Sequence, residues 1–195
     1  MERSALVTGS PGRVGDVAIA LKEVGFDVTE AGGGERLAEV AGGLGSGSVD
    51  TYVQLPWDAE TSAVSAIEQV HEFLTGGLLA RFRMARDMLP LLRPGASVVL
   101  VAGHRPALAQ TPDDRHARKS LLRVLARTIE ADTADAGVST VVVGDQCSSA
   151  QIAEIALHRG PDQRRRLSEY AGHRDELSFA DWQREILALS TAWWE

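Results

Sequence analysis

Two runs of the chain, Ala96–Ala102 (ASVVLVA) and Val138–Val143 (VSTVVV), are mostly apolar, and each lies between two glycines. A strand without polar alternation is buried on both faces, as in a parallel sheet covered by helices. Between them, the stretch from Pro112 to about Asp135 reads as a helix, the crossover that a parallel pair requires. Together these features confine the chain to helix-covered parallel-sheet architectures.

The first half repeats the alternation. An apolar run at residues 5–7 leads into a helix from about Arg13 to Val24, whose Val14, Val17, Ala18 and Leu21 recur at i, i+3, i+4 and i+7. Gly25 stops it, and Phe26–Glu30 reads as a second strand ending at Ala31-Gly32-Gly33-Gly34. A short helix, Glu35–Val40, runs into the glycine-rich stretch Gly42–Ser48, and a third strand follows at about Val49–Leu55, closed by Pro56-Trp57. Residues 61–93 form the longest helical pattern, with Ile67, Val70, Leu74, Leu78, Ala85, Met88 and Leu92 on one side and Gly76-Gly77 inside it; Pro94-Gly95 is its expected end. Five strands alternating with helices predict an α/β, doubly wound, Rossmann-like parallel sheet of about five to six strands, with a ligand crevice beyond the carboxyl ends of the strands.

A chain of 195 residues, 44% hydrophobic and 24% charged, suits a single domain spanning 1–195, with a core at 1–150 and a helical segment at 151–195. The strand pattern begins almost at Met1 and no apolar run approaches membrane-spanning length, so the expected location is cytoplasmic and no membrane partner is expected. A net charge of -7 opposes broad nucleic-acid binding. Cys147, the only cysteine, excludes an intramolecular disulfide and a cysteine-rich metal site.

Between the first strand and first helix stands Thr8-Gly9-Ser10-Pro11-Gly12-Arg13-Val14-Gly15, a T-G-x-x-G-x-x-G loop. Glycines at this junction permit a tight turn, let the backbone approach a pyrophosphate and aim helix N–H groups at it. The same glycines also serve strand-to-helix packing without any ligand. The expected cofactor contacts are Gly9, Ser10, Gly12, Arg13, Val14 and Gly15, with Glu30 at the end of the second strand. Arg13 suits the 2′-phosphate of NADP, whereas Glu30 suits the ribose 2′-hydroxyl of NAD. A first-turn arginine and a loop carboxylate can equally be solvated.

The loop "VTGSPGRVG" resembles the opening of the short-chain dehydrogenase/reductase superfamily, in the form found in its extended and atypical branches. "DTYVQLP" at 50–56 sits where that family has its N-N-A-G strand. "LTGGLLARFRMARDMLPLLRPGASVVLVAG" at 74–103 and "RKSLLRVLARTIEADTADAGVSTVVVG" at 118–144 resemble its central helices and strands. Relative to the family, a strand and helix are missing between Glu35 and Val49, as is the closing strand, leaving five strands in an order resembling 2-1-3-4-5.

The resemblance also implies a catalytic group of tyrosine, lysine, serine and asparagine, from which the chain departs. At the Y-x-x-x-K position it reads Arg115-His116-Ala117-Arg118-Lys119, so Lys119 matches and Arg115 replaces the tyrosine. The serine region reads Ala102-Gly103-His104, Phe73 stands at the asparagine position, and N-N-A-G has become Gln54-Leu55-Pro56-Trp57. A guanidinium stays protonated at any working pH and cannot replace the tyrosine as an acid.

The catalytic candidates are therefore Lys119, Arg115 and His104. Arg115, Lys119, Arg123 and Arg127 form a basic ridge, which reads either as a grip on an anionic small molecule or as a solvated face. His104, directly after the fourth strand of this chain, is of the residue type best suited to proton transfer near neutral pH but has no identified orienting partner. Glu68-x-x-His71 is half of a carboxylate-bridged metal motif, and no metal is expected.

Three functions fit these residues: a degenerate member of the family acting as a nucleotide-binding sensor or noncatalytic subunit, an NAD(P)-dependent oxidoreductase of atypical mechanism, and a lyase or isomerase on the same scaffold. Phe73, Leu79, Phe82, Met84 and Leu89 outside the long helix's main row predict a second buried face. With Trp182, Ile186, Leu189 and Trp193 at helical spacing near the terminus, they suggest a dimer or other homo-oligomer, or a hetero-oligomer with an active homologue.

Overall fold

The computed structural model describes residues 3–32, 39–40, 42–57, 65, 67–68, 71, 77, 79–103, 112–144 and 147–157, with 112–119 described in backbone only. The predicted stripe from Trp182 to Trp193, His104, most of the 61–78 stretch and most of the expected short helix Glu35–Val40 lie outside these residues.

The strands are β1 (Arg3–Thr8), β2 (Phe26–Ala31), β3 (Val49–Gln54), β4 (Leu92–Val101) and β5 (Ser139–Val143). The helices are α1 (Pro11–Glu23), α2 (Leu79–Met88), α3 (Pro112–Asp132) and α4 (Ser149–Leu157). All strand pairs are parallel, in the order β2-β1-β3-β4-β5, which is the order implied by the family resemblance.

Strand alternation divides the core in two. Ala5, Val7, Val53, Val99 and Val101 face Val14, Val17 and Leu21 of α1 and Ile152, Ala153 and Ile155 of α4. Leu6, Tyr52, Val98 and Leu100 face Met84, Ala85 and Met88 of α2 and Leu122, Leu125, Ala126 and Ile129 of α3. Side chains at successive strand positions point to opposite faces, so the apolar runs feed both layers and the sheet is doubly wound.

The long helix ends earlier than its periodicity predicts. After Met88 the chain makes one 3₁₀ turn, Leu89–Leu91, and β4 begins at Leu92, paired with Val49. Pro90 is the stop, because its ring has no N–H for the helix and crowds the preceding turn. Pro94-Gly95 instead lies inside β4, where Gly95 takes φ 74° and the register against β3 shifts between Val49 and Thr51. Two side chains also depart from their expected places: Ile67 is 84% exposed instead of lying in the core row, and Met84 is in the core instead of on a second face.

β5 was expected to be covered on both faces, yet Ser139–Val142 are only half-buried. Among the described residues it is an edge strand, and the Glu130 carboxylate accepts the Thr140 N–H at 3.0 Å. Occupying an edge N–H in this way blunts pairing with another chain.

At the opposite end of the strands, Asp50 is buried and joins three segments. Its carboxylate accepts from the Ser4 N–H at 3.0 Å and from Arg93 Nη1 at 3.1 Å. Arg93 Nε also donates to the Gly47 carbonyl at 3.3 Å. This clasp fixes the entry of β1, β3 and β4 on the side away from the crevice.

Candidate functional site

The carboxyl ends of β1, β3 and β4 converge on a tightly tied floor. Leu55 N–H donates to the Thr8 carbonyl at 2.8 Å, and Ser10 N–H donates to the Pro56 carbonyl at 3.1 Å. Gly9 turns the chain with φ 144°, and a Cβ there would lie 2.5 Å from that of Leu55. The first glycine of the loop is thus required by the approach of β1 to the end of β3.

The other two glycines differ. Among the described residues, a Cβ on Gly12 or Gly15 would meet no heavy atom within 4 Å. Pro11 occupies the first turn of α1, and the N-cap Ser10 makes no side-chain cap. Its hydroxyl instead donates to the Pro56 carbonyl at 3.3 Å. The first N–H groups of a helix have no intrahelical partner, and they carry its positive dipole end. Open space above Gly12, at a helix start whose N-cap Ser10 makes no side-chain cap, leaves room for an anionic group.

The remaining predicted contacts are placed as follows. Val14 is buried in the α1/α4 core and its N–H donates to the Ser10 carbonyl at 3.1 Å. Arg13 Nη2 donates to the Cys147 carbonyl at 3.1 Å, toward the loop that follows β5. β5 and β2 are opposite edges of the described sheet, so this contact directs Arg13 away from the β2 end, where an adenosine 2′-phosphate is expected. Glu30 pairs with Lys22 at 3.2 Å on the surface.

Arg115 and Lys119 fall in the first two turns of α3, four residues apart in its backbone. The Glu68 carboxylate accepts from the Ser65 hydroxyl at 2.8 Å, a local helix-start contact. Among the described residues, no group of three or more His, Cys, Asp and Glu is arranged to hold a metal ion.

Sequence reasoning missed a buried polar network at the ends of β1 and β3. Tyr52 Oη lies 3.0 Å from Thr8 Oγ1 and accepts from Gln54 Nε2 at 3.1 Å. Gln54 Nε2 also donates to the Arg81 carbonyl at 3.0 Å. Arg81 Nε donates to Gln54 Oε1 at 2.8 Å, and its Nη2 donates to the Gln54 carbonyl at 3.1 Å. Arg81 is only 5% exposed, and burial pulls its guanidinium pKa down to about 10, which leaves it charged at neutral pH. Burial likewise raises the Tyr52 hydroxyl pKa, against the opposing effects of Thr8, Gln54 and the Arg81 charge. The signal was present: Arg81, Ala85 and Met88 share one helical row, so a cation occupies a core position.

The chain matches no protein-family model and no curated protein sequence. Among solved structures it is similar to BdcA from E. coli, with 16% identity over 82% of this chain and 90% of that one, at a TM-score of 0.57. A protein described as a short-chain dehydrogenase/reductase from Corynebacterium glutamicum aligns with 20% identity over 78% of this chain and 88% of its own, at a TM-score of 0.52. A carbonyl reductase from Pseudomonas aeruginosa PAO1, in complex with NADP, aligns with 17% identity over 87% of this chain and 92% of its own, at a TM-score of 0.55. The fold is similar to that of these short-chain dehydrogenase/reductase-like structures. At these identities the likeness concerns the fold, and the chemistry rests on this chain's own residues.

Proposed function

We propose that the chain binds a nicotinamide dinucleotide on its glycine loop without tyrosine-dependent carbonyl reduction, and serves as a nucleotide-binding sensor or as a noncatalytic subunit beside an active homologue. The observation that carries the binding reading is the open space over Gly12 at the start of α1, whose N-cap Ser10 makes no side-chain cap. A pyrophosphate there would receive backbone N–H groups and the positive end of the helix dipole. NADP in the similar carbonyl reductase supports a nicotinamide cofactor in this fold. Against reduction stands Arg115, which occupies the tyrosine position of the resemblance and cannot act as the acid.

A second reading, an NAD(P)-dependent oxidoreductase of atypical mechanism, is favoured by the likeness to that carbonyl reductase. Mass spectrometry of nucleotide carried through native purification, with titrations of NAD(H) and NADP(H), tests the binding. Robust reduction across a carbonyl screen, lost on Lys119→Ala, would overturn the noncatalytic role. Absence of any dinucleotide affinity would overturn both readings.

A further inference from the structure

Helices α1 and α4 pack side by side, with Val14, Val17 and Leu21 against Ile152, Ala153 and Ile155, and both start at the carboxyl end of the sheet. Their first turns are held differently. At α1 the Ser10 hydroxyl is engaged by the Pro56 carbonyl, and Pro11 has no N–H to offer. At α4 the cap is internal: the Ser148 N–H donates to Gln151 Oε1 at 2.9 Å, and the Gln151 N–H donates to Ser148 Oγ at 3.2 Å.

That cap is solvent-exposed, and the buried residues of α4 begin only at Ile152. Residues 149–151 therefore lack an apolar anchor, the condition under which a helix end opens locally. A contact from the neighbouring helix reaches this end. Arg13, in the first turn of α1, donates from Nη2 to the Cys147 carbonyl at 3.1 Å, directly before the cap residue Ser148. A guanidinium carries several N–H donors in one plane, so contact with a carbonyl is compatible with attraction to an anion beside it.

We propose that Arg13 is a positioning residue that couples the glycine loop to α4. A pyrophosphate on the first turn of α1 holds the guanidinium in place, and the guanidinium, through the Cys147 carbonyl, holds the first turn of α4. The inference rests on the proposed nucleotide binding and adds the part of the chain that responds to it. Ser148 and Ala150 are exposed, so a change in this turn is presented at the surface, as a noncatalytic sensor requires.

The test uses the full chain with NAD and ADP, both of which carry a diphosphate, at concentrations that calorimetric titration shows to saturate each variant. The readouts are amide hydrogen exchange at Gln151 and Ile152 and the rate at which iodoacetamide alkylates Cys147, the only cysteine. In the unmodified chain either nucleotide should slow exchange at both amides by about fivefold or more, with alkylation slowed in parallel. Arg13→Lys, which keeps the charge and loses the planar fork, should retain part of the effect. Arg13→Ala should bind nucleotide more weakly and, once saturated, show no slowing. Titratable binding that leaves exchange unchanged in the unmodified chain would overturn the coupling while the binding reading stands. Equal slowing in Arg13→Ala would also overturn it, because the nucleotide would then cover α4 directly. Absence of titratable binding by either nucleotide would overturn the binding reading itself, and the coupling with it.

Discussion

Gly9 and Leu55 meet so closely that a Cβ at position 9 would lie 2.5 Å from the Cβ of Leu55 and 3.2 Å from its backbone. The φ of 144° adds strain for any L side chain. Gly9→Ala should therefore cost about 3 kcal/mol or more, since neither neighbouring strand end can withdraw without breaking the Leu55–Thr8 hydrogen bond. Chemical denaturation measures it, and a loss under about 1 kcal/mol would mean that β1 and β3 separate easily.

Gly12 should respond in the opposite sense. Its Cβ position is open, and replacing glycine near a helix start lowers the entropy of the unfolded chain. Gly12→Val should thus change stability by less than about 1 kcal/mol while abolishing dinucleotide binding, because the side chain fills the pyrophosphate approach. Calorimetric titration of a demonstrably folded variant checks this, and unchanged affinity would leave the loop a purely structural turn.

The contrast between these two glycines shows what the sequence could convey. Spacing marked Gly9, Gly12 and Gly15 alike, but only the path of β3 past the loop separates Gly9 from the others. The parallel sheet was legible because runs such as Ala96–Ala102 have a single solution, burial between two helical layers, whereas the strand order followed only from the family resemblance. Arg81 shares a helical row with Ala85 and Met88, but an apolar/polar pattern alone assigns every arginine to the surface. Its burial depends on Gln54, 27 positions away, presenting both an amide and a carbonyl to it. The end of the long helix was misplaced for a related reason: Pro90 and Pro94 both break helices, and only pairing of Leu92 with Val49 selects the first.

Asp50 supplies a test of the other end of the sheet. Its carboxylate is buried against Arg93 and the Ser4 N–H. Asp50→Ala would leave that N–H without its acceptor and the guanidinium without its charge partner, at a cost on the order of 3 kcal/mol. Asp50→Asn should retain part of this, since an amide oxygen still accepts from Ser4. Equal stability of both variants and the unmodified chain in urea denaturation would show that the clasp contributes nothing.

Tyr52 predicts an alkaline signature. Its pKa is raised on folding, above the value of about 10 in the unfolded chain. A folded-state pKa above the unfolded one means a contribution fully present below pH 10 and lost as pH rises from there through the folded value. Tyr52→Phe should be less stable than the unmodified chain by roughly 1 to 2 kcal/mol near pH 7, having lost its partners Thr8 and Gln54. The gap should narrow above pH 10. Arg81 acts in the reverse direction: its folded pKa of about 10 lies below the unfolded value, so its burial penalty is complete at lower pH and is relieved above that point. Comparing the two chains by urea denaturation between pH 7 and 11 reads the tyrosine contribution together with its coupling to the Arg81 charge.

Arg13 separates two modes of cofactor recognition. Its contact with the Cys147 carbonyl holds the guanidinium across the start of α1 toward α4, and the β2 end carries Glu30, whose charge opposes a phosphate. In this position the cation would act on the charge shared by both dinucleotides, the pyrophosphate, and would have no direct part in reading a 2′-phosphate. Arg13→Ala should then weaken NAD and NADP binding by similar factors, about threefold to tenfold at moderate salt, with the effect shrinking as ionic strength rises. An arginine that read the 2′-phosphate would behave differently: its removal would lower NADP affinity by more than about tenfold and leave NAD affinity unchanged. Titrating both cofactors against Arg13→Ala and Arg13→Lys distinguishes the two. Selective loss of NADP affinity in Arg13→Ala would show that the arginine leaves Cys147 when the cofactor binds and turns toward the end of β2.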